Sequence, residues 1–232
     1  MDIVDGETHL IVTDGTGCPF GRVPRIPIES TDAMERVGKT LRMLATVHTV
    51  RSLTKYEACS PVPAHWFSVR LCNKNNPSEN TTSGGLHLAQ GGRVRYIISN
   101  RTDDHSAHVH MLSLNASWTI GTLLWHVHLP PRQQRTGELA VVPAAKVNDN
   151  DPPEADDTIL VIFCVGEQFA ERLVTASEWL RKVYIPPVLL NPGEAVQEGP
   201  VWPFFVPPPN WLVKHFTIRT VQQPRGGPEE AA

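Results

Sequence analysis

The sequence predicts a β-rich α+β domain: an antiparallel β-sandwich-like sheet packed by one long N-terminal helix and a shorter second helix. Three observations predict it. Apolar and polar residues alternate in the segments between residues 92 and 128, which indicates strands with one buried and one solvated face. An unbroken apolar run at 158–165 is typical of a central strand. Apolar residues at spacings of three and four over 34–48 indicate an amphipathic helix.

Length and composition fit a single domain. The chain has 232 residues, of which we assign 1–223 to one β-sandwich-like domain and 224–232 to a disordered polar tail. Hydrophobic residues make up 41% of the chain, which is enough for a core. The 21 prolines disfavour an all-helical fold, because proline fixes φ and lacks an N–H donor.

The N-terminal part contains a predicted strand at 8–13 and the long helix. Asp32 followed three residues later by Glu35 is a capping-box arrangement, which marks the start of a helix expected over about 32–53. Its core-facing stripe is expected to consist of Met34, Val37, Leu41, Leu44 and His48.

The middle of the chain is dominated by strands. Residues 65–72 form a strand pattern, followed by a polar surface loop at 73–85. Three strands are then predicted at about 92–100, 107–114 and 118–128. Their links are short, so we expect consecutive strands of this meander to pair antiparallel.

The C-terminal part returns to strands after a helix. We expect a short edge strand at 139–142, the central strand at 158–165, and a second helix over about 167–183. A proline-rich extended arm at 186–209 and a last strand at 211–221 complete the pattern.

Charge and hydropathy argue against several function classes. The net charge is -3 and only 19% of residues are charged, so the composition offers no basic footprint for nucleic acid or anionic membrane. No run approaches the length of apolar sequence that spans a bilayer. The acidic residues at 1–5 do not match a secretory signal. Four irregularly spaced cysteines predict reduced thiols in a cytoplasmic protein.

The cysteines are not placed as catalytic nucleophiles. A cysteine peptidase needs a thiolate beside an imidazole, with a glycine-rich frame around the nucleophile. Cys18 lies in a glycine-rich stretch, but the upstream His9 is followed by Leu10 and not by glycine. Cys59, Cys72 and Cys164 lack such a frame as well. We therefore predict structural thiols and no catalytic residues.

The histidines give a sharper hypothesis. His108 with His110, and His126 with His128, form two H-x-H pairs, and residues i and i+2 of a strand share a face, so each pair could chelate zinc or copper. The expected register separates the pairs by about 13 Å and sets His126 opposite His105. A metal site would then use His105, His126 and His128; the alternative is ordinary solvated or hydrogen-bonded strand histidines.

An aromatic, proline-rich stretch suggests a binding segment. Polyproline docks on aromatic grooves, and exposed aromatic residues mark interfaces. The alternative is that the arm packs its own aromatic rings on the sandwich, because a free arm exposes a large apolar surface. The residues concerned are Trp202, Phe204, Phe205, Pro207, Pro208 and Pro209.

The order of segments resembles the accessory domain that follows the catalytic domain in fungal caspase-like, metacaspase-related proteins of the C14 peptidase type. It is also similar to the bacterial domain of unknown function placed behind such peptidases. The resemblance is carried by 53–56 (LTKY), 90–100 (QGGRVRYIISN) and 108–124. It implies a non-catalytic interaction module, regulatory or scaffolding, without a cofactor and with a caspase-like catalytic domain as partner. A metal-binding β-sandwich is the alternative function.

Overall fold

A computed structural model describes residues 2–4, 7–13, 16, 22–23, 25–76, 80–81, 84–89, 92–140, 154–165 and 210–221. The helix α1 covers Ala33–Ser52 and continues into a 3-10 helix, Leu53–Cys59. The strands are β1 (Asp2–Val4), β2 (Glu7–Leu10), β3 (Ile26–Pro27), β4 (Phe67–Asn73), β5 (Asn80–Thr81), β6 (Gly84–Ala89), β7 (Arg93–Asn100), β8 (Ala107–Leu114), β9 (Ile120–Leu129), β10 (Gln134–Ala140), β11 (Glu154–Val165) and β12 (Trp211–Val221).

The strands confirm the β-rich α+β class. They form a five-stranded sheet of order β6-β12-β11-β8-β9, a four-stranded sheet of order β10-β7-β4-β5 and a small sheet of β1, β2 and β3. All pairs in the two larger sheets are antiparallel except β12 with β6. The second helix expected at about 167–183, the arm at 186–209 and the tail at 224–232 lie outside the described residues.

The two larger sheets face each other across one apolar core. The Phe67 ring of β4 stacks on the Phe163 ring of β11, with their centroids 4.6 Å apart. Around this contact, inward-facing residues of both sheets form a single buried cluster that includes Val69, Ile98 and Val161. Burial of this apolar surface is the main favourable term that holds the sheets together.

The predicted central strand is confirmed, and its composition explains its place. β11 lies between β12 and β8, and its apolar run is buried on both faces. One face enters the core between the sheets, while Leu160 and Ile162 on the other face pack with Val50 and Leu53 at the end of α1. A strand covered on both sides needs apolar residues at consecutive positions.

The expected three-stranded meander is wrong at its first link. β8 pairs with β9, but β7 pairs with β4 and β10 in the other sheet. Asn100, at the end of β7, fixes this change of sheet. Its side-chain amide donates to the carbonyl oxygens of His105 (2.7 Å) and Leu129 (3.1 Å), and its carbonyl accepts from the backbone N–H of Thr102 at 3.0 Å.

The helix α1 is confirmed at the expected place, and Leu44 of its expected core-facing stripe is buried, but Met34, Leu41 and His48 of that stripe are exposed. The buried residues are Ala33, Leu44, Val47 and Val50. Met34 and Leu41, predicted to face the core, have exposed fractions of 77% and 45%. The reason is that only the second half of the helix packs over the five-stranded sheet, through Val50 and the following Leu53.

The helix start also differs from the expected capping box. Asp32 makes no side-chain capping bond to the helix; its carboxylate instead accepts a hydrogen bond from the Ser30 hydroxyl. Glu35 forms an ion pair with Lys39, one helical turn later, at 2.6 Å. Neither acidic side chain therefore satisfies a free N–H group of the first turn.

Candidate functional site

Four histidines lie together on the outer face of the five-stranded sheet. His108, His110, His126 and His128 form what we call the histidine cluster. The expected register was wrong: His108 is directly opposite His128, and His126 lies beside His110. The two H-x-H pairs are therefore neighbours and are not separated along the ladder.

A five-residue turn and two β-bulges explain the difference in register: Leu114 pairs with Ile120 across the turn at 115–119, and β9 has one extra residue opposite His110 and another between the partners of Met111 and Leu112. Val109 pairs with Val127 and Met111 with Leu124, so that Trp125 and His126 together oppose His110. His126 adopts a positive φ of 54° at this point. An extra residue in one strand bends it locally and turns its side chains, which no alternation pattern in the sequence could show.

The His110 ring is part of the bulge. The backbone N–H of His126 donates a hydrogen bond of 3.2 Å to the Nδ1 atom of His110. The indole of Trp125 packs edge-on against the His110 ring, with the two ring centroids 4.3 Å apart. Burial, with His126 and His108 close by, lowers the pKa of His110 to about 4. A neutral His110 whose Nδ1 accepts this bond carries its proton on Nε2.

The other three rings touch without enclosing an ion position. The centroid of the His108 ring lies 4.4 Å from that of His126 and 5.2 Å from that of His128. The Nδ1 atom of His126 is buried and has no hydrogen-bond partner among the described residues. Within the same part of the chain, no three His, Cys, Asp or Glu side chains have the arrangement of a metal site.

His105, which the sequence grouped with His126 and His128, lies elsewhere, so that set is not assembled. Its ring stacks on Trp66 with centroids 4.6 Å apart, and its Nε2 atom is 3.5 Å from the Asp104 carboxylate. The backbone carbonyl of His105 is held by Asn100 at the crossing between sheets. The wrong register in the prediction caused this error.

The described thiols are not arranged as nucleophiles. Cys164 pairs in register with His108, but it is only 1% exposed, and burial raises the pKa of its thiol to about 12. A thiol kept protonated is a poor nucleophile and a poor metal ligand. Cys72 is a half-buried free cysteine on β4. Cys18 and the side chain of Cys59 lie outside the described residues.

A groove that the sequence did not reveal lies between α1 and the turn from β8 to β9. We call it the α1 groove; its volume is about 430 Å³. One feature of the sequence could have pointed to this groove: the apolar residues of α1 occur on more sides of the helix than a single buried face requires. The groove is lined by Lys39, Arg42, Met43, Thr46, Val47, Trp118, Thr119 and Ile120.

The aromatic and proline residues proposed for binding, from Trp202 to Pro209, lie outside the described residues. Within the described part, no helix is both long and apolar enough to cross a membrane.

Comparison with known proteins does not assign a family. No family model and no curated protein matches the chain. Among solved structures, the periplasmic chaperone SfaE is similar over 64% of this chain and 59% of its own length, with a TM-score of 0.35 and 13% identity. The match thus spans less than two thirds of the chaperone, and a backbone overlap this small supports no inference about function.

Proposed function

We propose that this chain is a non-catalytic accessory module of a caspase-like protein, regulatory or scaffolding in role, which binds the catalytic domain in the cytoplasm. The proposal follows the resemblance carried by residues 53–56, 90–100 and 108–124. The structural observation that carries it is the outward apolar face of α1, where Met34 and Leu41 are exposed on an ordered helix. An apolar helix face without an intramolecular partner is typical of a protein interface.

Two groups among the described residues, Cys164 and His110, are poorly suited to bond-breaking. A nucleophilic cysteine needs a lowered pKa, whereas burial raises the pKa of Cys164. A general base needs to titrate near neutral pH, whereas the pKa of His110 is about 4. Cys164 is packed with the core residues under α1, and His110 is buried against Trp125 and His126.

Calorimetric titration with a separately produced caspase-like catalytic domain tests the proposal. We expect a dissociation constant in the micromolar range, as is usual for domains that meet through a small interface. Leu41→Glu places a charge on the outward face of α1 and should weaken binding at least about tenfold. Thr136→Glu adds the same negative charge at an exposed position of β10 and serves as the control. No heat of binding at tens of micromolar protein would refute the proposal.

A second candidate function is zinc or copper binding by His108, His126 and His128. One observation favours it: two imidazoles on one metal ion lie about 5 Å apart between centroids, close to the His108–His128 separation of 5.2 Å. The rings would have to turn for their nitrogen atoms to converge. Elemental analysis of protein purified without chelator tests it, with the triple alanine variant as control. Equal metal content in the two proteins would exclude this function.

A further inference from the structure

The α1 groove has an apolar floor and a basic rim. Met43 and Ile120 supply aliphatic surface, the Trp118 indole lines the groove beside them, and the Arg51 guanidinium lies 5.3 Å from the centroid of the indole ring. Lys39 and Arg42 stand at the rim. A pocket of about 430 Å³ with this lining has room for a large apolar side chain and has cations beside its entrance.

The exposed face of α1 extends this surface. Met34, Gly38, Leu41 and Ala45 recur at spacings of four, three and four and form one line along the helix, which we call the α1 stripe. A methyl group added at Gly38 would meet no atom within 4 Å, so this line is open. Since successive helical residues are rotated by about 100°, Arg42 lies on the helix surface between the α1 stripe and the groove.

The helix has the opposite charge to the whole chain. α1 contains four basic residues, Arg36, Lys39, Arg42 and Arg51, and one acidic residue, Glu35, in a chain of net charge -3. Glu35 is already paired with Lys39 at 2.6 Å. No carboxylate of the described residues is ion-paired with Arg42, so its charge is open to a partner. The surface therefore favours an anionic, apolar ligand.

We propose that the α1 groove and the α1 stripe bind an acidic amphipathic peptide segment of the partner protein, with an apolar side chain inserted between Met43, Trp118 and Ile120 and a carboxylate beside Arg42. This inference rests on the proposed function and names the part of the partner that is recognised. An amphipathic segment laid along a helix face and groove is a common mode of peptide recognition.

Fluorescence anisotropy of a labelled model peptide with leucine and glutamate at helical spacing tests this directly, using the whole chain. We expect saturable binding at tens of micromolar. A matched peptide with lysine in place of glutamate should bind about fivefold more weakly or not at all. Arg42→Glu should weaken the glutamate peptide about fivefold and strengthen the lysine peptide, while Thr136→Glu should change neither. Equal binding of both peptides, or an unchanged affinity in Arg42→Glu, would overturn the proposal.

The same variants separate this inference from the proposed function. If Arg42→Glu and Leu41→Glu leave binding of the caspase-like catalytic domain intact, the module binds it elsewhere and the α1 groove proposal is wrong. If the glutamate peptide binds and the variants weaken it, but the catalytic domain does not bind, the groove stands and the proposed partner is wrong. Both variants change exposed side chains, so circular dichroism should show an unchanged fold.

Discussion

His110 is a polar residue whose buried ring is satisfied by a hydrogen bond with the backbone. The ring is 2% exposed and accepts a hydrogen bond from the N–H of His126, which the bulge would otherwise leave without a strand partner. An unpaired buried N–H costs about as much as a lost hydrogen bond. The ring stabilises the bulge only while it is neutral, because a protonated imidazole has no acceptor atom.

Acid should therefore destabilise the fold through His110. Its pKa in the folded chain, about 4, is below the unfolded value of 6.5, so the unfolded chain binds more protons between these values. The contribution of neutral His110 to the free energy of unfolding is complete at pH values above its unfolded pKa of 6.5. It is lost as the pH falls towards about 4, the pKa in the folded chain. We expect protonation of this residue alone to lower the free energy of unfolding by about 2 kcal/mol between pH 7 and pH 5.

Urea unfolding in the presence of a chelator measures this loss. The control is His110→Asn, whose amide oxygen can accept the same bond but does not titrate. The variant should be less stable than the parent chain at pH 7. Between pH 7 and pH 5 its free energy of unfolding should fall by about 2 kcal/mol less than that of the parent. Parallel pH profiles for the two proteins would contradict the assignment.

Asn100 is the second residue with a large expected effect. It is 2% exposed, and the hydrogen bonds between its side chain and the backbone of His105, Leu129 and Thr102 hold the crossing between the sheets. Asn100→Ala leaves these backbone groups without their partner and should lower the free energy of unfolding by about 3 kcal/mol. Ser99→Ala removes only an exposed 3.4 Å contact with Gln134 and should cost less than about 0.5 kcal/mol. Equal effects in thermal unfolding would rule out this role.

At the scale of elements, α1 combines a predictable position with an unpredictable face. Its apolar residues occur on several sides, and which side is buried depends on where the sheet ends beneath it. Glycine in a helix weakens it because the unfolded chain has more conformational freedom at that position.

Gly38→Ala should stabilise the chain. Gly38 lies inside α1, five residues after the start of the helix at Ala33, with open space around it, so the added methyl group meets no neighbour. The expected gain is about 0.5–1 kcal/mol in the free energy of unfolding, measured by urea denaturation. A loss of stability would show that the α1 stripe is covered and would count against the α1 groove proposal as well.

Gly137→Ala should have the opposite effect. Gly137 pairs with Tyr96 across β10 and β7, and an added methyl group would overlap the Tyr96 ring, which is 5% exposed. Displacing that buried ring should cost about 1–3 kcal/mol. Gly85→Ala, where the nearest atom is at an ordinary 3.7 Å, is the matched strand control. If both variants unfold at the same temperature, the Tyr96 ring does not cover Gly137.

At the scale of the whole molecule, the sequence predicted what depends on local pattern. The ends of β8, the position of α1 and the central place of β11 follow from alternation, spacing and an apolar run. The assignment of β7 and β8 to different sheets did not, since it depends on Asn100 and on contacts distant in the sequence. The histidine cluster was missed because the pairing of β8 with β9 depends on the length of the turn at 115–119 and on two extra residues in β9, which the alternation of apolar and polar residues does not show.

The two larger sheets and their shared core also explain why function is expected at the surface. The Phe67–Phe163 stack and its neighbours fill the space between the sheets with apolar side chains. The α1 stripe and the α1 groove lie outside that interior, where a partner can bind without opening the core. Binding should then protect the amides of α1 beyond the uniform gain in global stability that a partner gives any folded chain it binds.

Hydrogen exchange of the whole chain, with and without a caspase-like catalytic domain, tests this most directly. We predict that exchange slows most at the amides of α1 and of the turn at 115–120 in the complex, beyond the smaller and uniform slowing of β8 and β11 that binding causes by stabilising the folded chain. Protection that is confined to the histidine cluster, or no protection at saturating partner, would contradict the proposed role of α1.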